Sequence, residues 1–330
     1  MTTKKRILSG MRPTGKLHLG HLVGALGNWV KLQDSYNCFY MIADWHALMS
    51  EYENPKGIRE NSYDMVKDFI ASGLDPDKSV IFVQSHVPEH LELYMVFSDL
   101  TPLGWVERCP TYKEQLREIK GRDLTTYGFL GYPVLQAADI ALYKADAVPV
   151  GIDQVPHLEL TREIVRRFNS IYGKDVFPEP EGLLTTTPKL LGLDNRKMSK
   201  SYDNYIALSL EPADIRKKVA GMITDPSRIK LSDPGHPDVC NVFRYYSIFA
   251  DPDSLAGVRQ ECHNSARGCT DCKQSLAAIL IERLGPMNAK RAKVSDDDAK
   301  DILRAGAKKA KQAAAQTMAT VRSLIHFAQE

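Results

Sequence analysis

Short apolar runs separated by amphipathic stretches set the strongest limit on this fold. Cys38-Phe-Tyr-Met-Ile-Ala43 and Ser79-Val-Ile-Phe-Val83 are too short for buried helices and almost wholly apolar. Both read as strands covered on two faces, the habit of parallel sheets flanked by helices. A helix over residues 57–71 and the turn Leu74-Asp-Pro-Asp77 supply the crossover between them. Upstream, Arg6-Ile-Leu8 predicts the first strand and residues 9–16 a loop. Residues 17–32 then predict a helix with Leu22, Leu26 and Trp29 on its inner face. The rhythm lasts from Lys5 to about Asn195 and predicts a Rossmann-like layer. Residues 111–131 carry charge and glycine without a period, and read as a mobile connection around a substrate entrance. Past Ser201 the strand rhythm stops, and residues 212–222, 276–284 and 296–327 have helix-forming composition. The expected class is α/β, with a Rossmann-like parallel-sheet domain over 1–201 and a helical domain over 202–330.

Two segments carry chemistry. Pro13-Thr14-Gly-Lys-Leu-His18-Leu-Gly20-His21 puts two imidazoles and free helix-end N–H groups where a loop turns into a helix, an arrangement suited to a phosphate chain. Lys197-Met198-Ser199-Lys200-Ser201, preceded by the turn Asp194-Asn195, offers two cations on a flexible stretch that can close over phosphates as charge develops on leaving pyrophosphate. Neither segment holds the nucleophile that a covalent intermediate at such a site would need. That fits direct attack by a substrate carboxylate on the α-phosphorus of ATP, with Mg²⁺ on the phosphates.

Composition narrows the setting without naming a partner. Lys plus Arg total 43 against 41 Asp plus Glu, so a nucleic acid would be held by a local patch. Such a patch lies over residues 286–327, where nine Lys or Arg face four Asp, although a merely solvated helix explains the same excess. No apolar run approaches a membrane span, and Ile7-Leu8 is too short for a signal peptide, so the expected address is cytoplasmic.

The paired segments resemble the signatures of class I aminoacyl-tRNA synthetases. Further stretches narrow this: Ser9-Gly-Met-Arg-Pro-Thr-Gly15, Tyr132-Pro-Val-Leu-Gln-Ala-Ala-Asp139, Ala147-Val-Pro-Val-Gly-Ile-Asp153-Gln154 and His157-Leu-Glu-Leu-Thr-Arg162. Together they are similar to the bacterial tryptophanyl-tRNA synthetases over almost the whole chain. The resemblance implies activation of L-tryptophan by ATP, transfer to the 3′ end of tRNA(Trp), and a homodimer. It makes His18, His21, Lys197 and Lys200 catalytic. ATP contacts fall to Arg12, Thr14, Gly20, His21, Lys113, Gly151, Asp153, Met198, Ser199 and Lys200. Tryptophan contacts fall to Leu8, Tyr132, Gln136, Asp139, Val148, Val150 and Gln154. Asp139 would accept the indole N–H, a suitable job for a carboxylate in an apolar slot because indole donates and does not accept. Tyrosyl-tRNA synthetase is the nearest rival reading, and a small-molecule adenylyltransferase the nearest from another class.

Cys240, Cys262, Cys269 and Cys272 are separated by 21, 6 and 2 residues. In a cytosolic chain such a set points to metal, and thiolates alone leave zinc and iron–sulfur open. The resemblance favours a [4Fe–4S] cluster, which a subset of that family carries here, with structural Zn²⁺ as the alternative. Cys38 and Cys109 read as buried thiols.

Overall fold

The computed structural model describes residues 4–118, 123–184, 190–198 and 202–327. Contacts divide the chain into two compact units. The first is Met1–Gly15, Asn28–Thr186 and Val294–Glu330; the second is Lys16–Gly27 and Thr187–Lys293.

Five parallel strands build the first unit: β1 (Arg6–Met11), β2 (Asn37–Ile42), β3 (Ser79–Val83), β4 (Ala147–Val150) and β5 (Glu181–Leu184). Their order is β3-β2-β1-β4-β5, so the winding reverses between β1 and β4 and opens a crevice at the strands' carboxyl ends. β1 runs beyond Leu8, because Ser9, Gly10 and Met11 continue the ladder opposite Tyr40, Met41 and Ile42. A Cβ at Gly10 would lie 3.0 Å from the Met41 carbonyl oxygen, which explains a glycine inside a strand. Packed around the sheet are α1 (Asp44–Glu51), α2 (Ile58–Ser72), α3 (Glu89–Leu100), α4 (Tyr132–Leu142) and α5 (Val155–Tyr172). α2 stops where Gly73 takes φ 108°, a left-handed cap that suits glycine.

Two expectations need correction. Residues 17–32 do not form one regular helix: Leu17 and His18 precede it, and π-helical Leu22–Leu26 separates Leu19–His21 from Gly27–Leu32. The wider turn shifts the inner face, burying Leu26 and Trp29 but leaving Leu22 half-buried. Within residues 111–131 the chain is helical at Pro110–Glu118, with proline in its favoured first-turn position, and again at Tyr127–Leu130; residues 119–122 lie outside the described ones.

The second unit carries α6 (Pro212–Ala220), α7 (Asn241–Phe249), α8 (Pro252–His263) and α9 (Cys269–Arg291). α6 and α7 both pack on α9, and the Tyr246 hydroxyl of α7 donates to the Cys272 carbonyl at 2.7 Å. The last helix, α10 (Asp296–Leu324), belongs to the first unit and lies on β3. Leu303, Gly306, Ala307, Ala310, Ala314, Met318 and Val321 form its buried stripe, while its lysines face outward. Arg322 clamps the Glu92 carboxylate with two bonds, at 2.7 and 2.5 Å. The C-terminal part is mainly helical among the described residues, and it contributes to both units. Among the described residues no helix is long and apolar enough to cross a membrane.

Candidate active site

At the carboxyl ends of β1, β2 and β4 the first unit encloses a cavity of about 280 Å³. That is near the lower end of the ~300–1,000 Å³ usual for small-molecule pockets. Leu8 reaches it from β1, Val148 and Val150 from alternate positions of β4, and Tyr132, Gln136 and Asp139 from one face of α4. Gln154 and Arg12 complete the expected members on its lining, and Met41, Met49 and Phe129 add apolar wall. Thr14, Lys113, Gly151 and Asp153 are not on it. Lys113 is exposed on the Pro110–Glu118 helix, and Asp153 folds back so that a Cβ on Gly151 would come within 2.7 Å of its carboxylate.

Asp139 is 1% exposed and its carboxylate is largely saturated from within. Oδ1 accepts from Gln84 Nε2 at 2.8 Å and from His90 Nδ1 at 2.6 Å, while Oδ2 accepts from His46 Nε2 at 2.8 Å. A carboxylate has about four acceptor positions, so one on Oδ2 remains. Burial would raise the Asp139 pKa, but the hydrogen bonds and charge of His46 and His90 outweigh it and hold the group below the usual carboxylate range. His90 Nε2 meets the Tyr143 hydroxyl at 2.8 Å. Burial, then the charges of Asp139 and Glu89, push that phenol well above its ordinary value.

A second chain of bonds runs along the same cavity. Gln154 Nε2 donates to Asp153 Oδ2 at 3.1 Å, which turns its Oε1 toward His157 Nδ1, also at 3.1 Å; His157 Nε2 then meets the Tyr132 hydroxyl at 2.9 Å. Burial pushes the His157 pKa down to about 4, aided by His46 and opposed by Asp153. The ring is therefore neutral at pH 7, with Nδ1 protonated and Nε2 accepting from Tyr132.

His18, Gly20 and His21 of the first phosphate-type segment and Lys197 and Met198 of the second belong to the second unit, whereas Pro13 and Thr14 belong to the first. Leu17–Leu19 is pinned to the chain just beyond the second segment: Leu19 N–H donates to Ile206 O at 3.0 Å and Leu208 N–H to Leu17 O at 2.9 Å. The His18 and His21 rings lie 3.8 Å apart, and the His18 backbone N–H donates to His21 Nδ1 at 3.2 Å. With Nδ1 accepting that bond, the His21 ring proton sits on Nε2. Gly20 allows close approach, since a Cβ there would sit 3.2 Å from the Met198 sulfur. Asn195 takes φ 66°, and Asn204 Nδ2 ties the turn by donating to Asp194 Oδ1 at 2.7 Å and Lys197 O at 3.1 Å. Ser199, Lys200 and Ser201 lie outside the described residues.

The family described as tRNA synthetases class I (W and Y) matches residues 1–285. The chain belongs to that family. This synthetase is 51% identical to a tryptophan–tRNA ligase of Thermotoga maritima over 98% of its own length and 99% of the relative's. It is 41% identical to that of Aquifex aeolicus, over 98% and 100%. A crystal structure of tryptophanyl-tRNA synthetase from Campylobacter jejuni complexed with ADP and tryptophan superposes with a TM-score of 0.88, at 32% identity and 98% and 100% coverage.

The late cysteines of this synthetase are all free thiols, partly buried, and all four line one small cavity in the second unit beside Arg228, Arg267 and Asp225. Burial, the largest cause in each case, raises the thiol pKa of Cys240, Cys262 and, to about 11, Cys272. Among the described residues no three His, Cys, Asp or Glu side chains form a group that could hold a metal ion. The site residues that sequence reasoning missed are Gln84, His90, Tyr143 and His157. A signal existed for His90, which falls in phase with Leu93 and Phe97 on the apolar stripe of α3, all of them 0% exposed.

Proposed function

We propose that this synthetase activates L-tryptophan with ATP and passes the tryptophanyl group to tRNA(Trp), with its signature residues in the following roles. The carrying observation is the buried, anionic Asp139 with one unused acceptor position on the lining of an apolar cavity. The indole N–H fills that position, Val148 and Val150 flank the ring, and Gln136 lines the same slot. The Tyr132 oxygen and Gln154 hold the ammonium group, with Arg12 on the same cavity. The substrate carboxylate then attacks the α-phosphorus of ATP, a P–O bond forms, and the bond to pyrophosphate breaks. His18, His21, Lys197 and Lys200 stabilise the charge on the phosphates, where Mg²⁺ also belongs, and no residue bonds covalently to substrate. Thr14, Gly20, Lys113, Met198 and Ser199 add nucleotide contacts, and Gly151 and Asp153 take the ribose. A hydroxyl of the tRNA's terminal ribose then attacks the carbonyl and AMP leaves.

The test is amino-acid-dependent ATP–pyrophosphate exchange without tRNA across the twenty amino acids. Exchange with tryptophan alone is expected; exchange driven by tyrosine would overturn the assignment.

The four-cysteine cavity is read as the seat of a [4Fe–4S] cluster. Four soft thiol donors on one lining suit iron–sulfur ligation. A structural zinc, which also takes four thiolates, is the alternative occupant. When bound, the cluster would tie the residue before α7 and the first turn of α9 to α8 and fix a surface for tRNA; its role would be structural. Cys269→Ser should remove the visible absorption of the anaerobically purified protein and weaken tRNA charging more than pyrophosphate exchange. Colourless wild-type protein carrying zinc would overturn the cluster. Residues 1–201 are proposed as the catalytic part, 202–330 as the tRNA anticodon-binding part, and the working form as a homodimer, which sedimentation at the monomer mass of 37.0 kDa would refute.

A further inference from the structure

We infer that His90 and Tyr143 are positioning residues that set this synthetase's selectivity for an indole N–H by aiming the Asp139 carboxylate. The inference rests on Asp139 being the indole acceptor. A carboxylate only accepts, so the proton between His90 Nδ1 and Asp139 Oδ1, 2.6 Å apart, belongs to His90. The other ring nitrogen, Nε2, is hydrogen-bonded to the Tyr143 hydroxyl across 2.8 Å, so the imidazole is held at both nitrogens. Tyr143 and His90 are 0% exposed, and with Asp139 they form a continuous hydrogen-bonded series ending on Oδ1. Gln84 occupies the rest of that oxygen. With Oδ1 filled twice, a substrate donor finds its acceptor only on Oδ2, next to His46. Removing the His90 donor frees Oδ1, lets the carboxylate rotate, and leaves the recognition of N–H without a fixed direction. Tyr143 works one step further out, by holding the His90 ring in place through Nε2.

The test compares pyrophosphate exchange driven by L-tryptophan with exchange driven by β-(benzothiophen-3-yl)-L-alanine, whose ring sulfur replaces the N–H at nearly constant shape. In His90→Leu the preference for tryptophan in kcat/KM should fall about tenfold, and in Tyr143→Phe about threefold, with KM carrying the change and kcat within about twofold. His90→Asn, whose amide can donate toward Oδ1, should recover most of the preference. Tyr143→Phe keeps the ring contacts with Phe39 and Phe82, so it reads out even if His90→Leu does not fold. Equal losses for both substrates in Tyr143→Phe and His90→Leu would overturn the inference, because a merely structural role costs both alike. Asp139→Asn separates the two levels. If it abolishes the preference while the His90 and Tyr143 variants keep it, the inference alone fails; if it leaves the preference intact, the indole reading fails first.

Discussion

Helix α10 lies so close to β3 that residue 306 has no room for a side chain. A Cβ built on Gly306 would sit 2.6 Å from the Ile81 carbonyl carbon and 3.2 Å from its nitrogen. Carbon contacts settle at ~3.5–4.0 Å, so Gly306→Ala must drive the helix outward by about 1 Å. Overpacking of this kind costs ~1–3 kcal/mol, and the retreat also forfeits part of the dispersion contacts of the buried stripe. Helix propensity pulls the other way, because alanine for glycine in a helix gains ~1 kcal/mol. Since the clash is with backbone rather than a flexible side-chain tip, it should win, for a net loss of about 2 kcal/mol. Trp29, Trp45 and Trp105, the chain's three tryptophans, all belong to the first unit, so urea unfolding followed by tryptophan emission reads the body that holds Gly306. At slopes of ~2–3 kcal/mol/M the midpoint should drop by somewhat under 1 M. A midpoint equal to or above that of the parent protein would refute the reasoning.

Gly257 provides the opposite sign: it is exposed in α8 with no atom within 4 Å of a built Cβ, so Gly257→Ala should stabilise the second unit by ~0.5–1 kcal/mol in far-UV unfolding. His157 sets a pH dependence. Its folded pKa of about 4 lies below the unfolded ~6.5, so between those values only the unfolded chain takes up the proton, and stability falls with falling pH by at most about 3 kcal/mol; His157→Asn should flatten the urea midpoint between pH 6.5 and 4.5, and an unchanged slope would count against the neutral ring. Lys197→Ala should cut kcat for pyrophosphate exchange ~100-fold with KM for tryptophan within about threefold; a loss confined to that KM would remove Lys197 from the phosphate role.

The strands β2 and β3 could be read directly because two-sided burial leaves an unbroken apolar run. β5 could not be read, since Glu181-Gly-Leu-Leu184 is a partly exposed edge strand whose backbone pairing needs no apolar pattern. The π-helical Leu22–Leu26 has no local signature either, because a one-residue widening leaves composition unchanged. Tyr132, Gln136 and Asp139 came from the family resemblance, and the structure puts them on one face of α4. Their partners Gln84, His90 and His157 come from other elements, and only the three-dimensional packing selects them. For α10 the outward lysines were visible as a basic face, whereas the alanine stripe that seats it on β3 reads in the sequence only as alanine-rich.

The seat of α10 also fixes an order of events during synthesis. Ile81 and Gly306 are 225 residues apart (306 − 81), and nearly all of the second unit is translated between them. At ~5–20 residues per second, β3 waits about 10–45 s for the helix that packs on its backbone. Throughout that interval the sheet exists with an outer strand lacking its cover, the kind of surface that invites pairing with another chain. The nascent protein therefore completes its five-stranded unit after the insert that interrupts it. A ribosome-bound chain ending before residue 296 should be the form that most needs a chaperone.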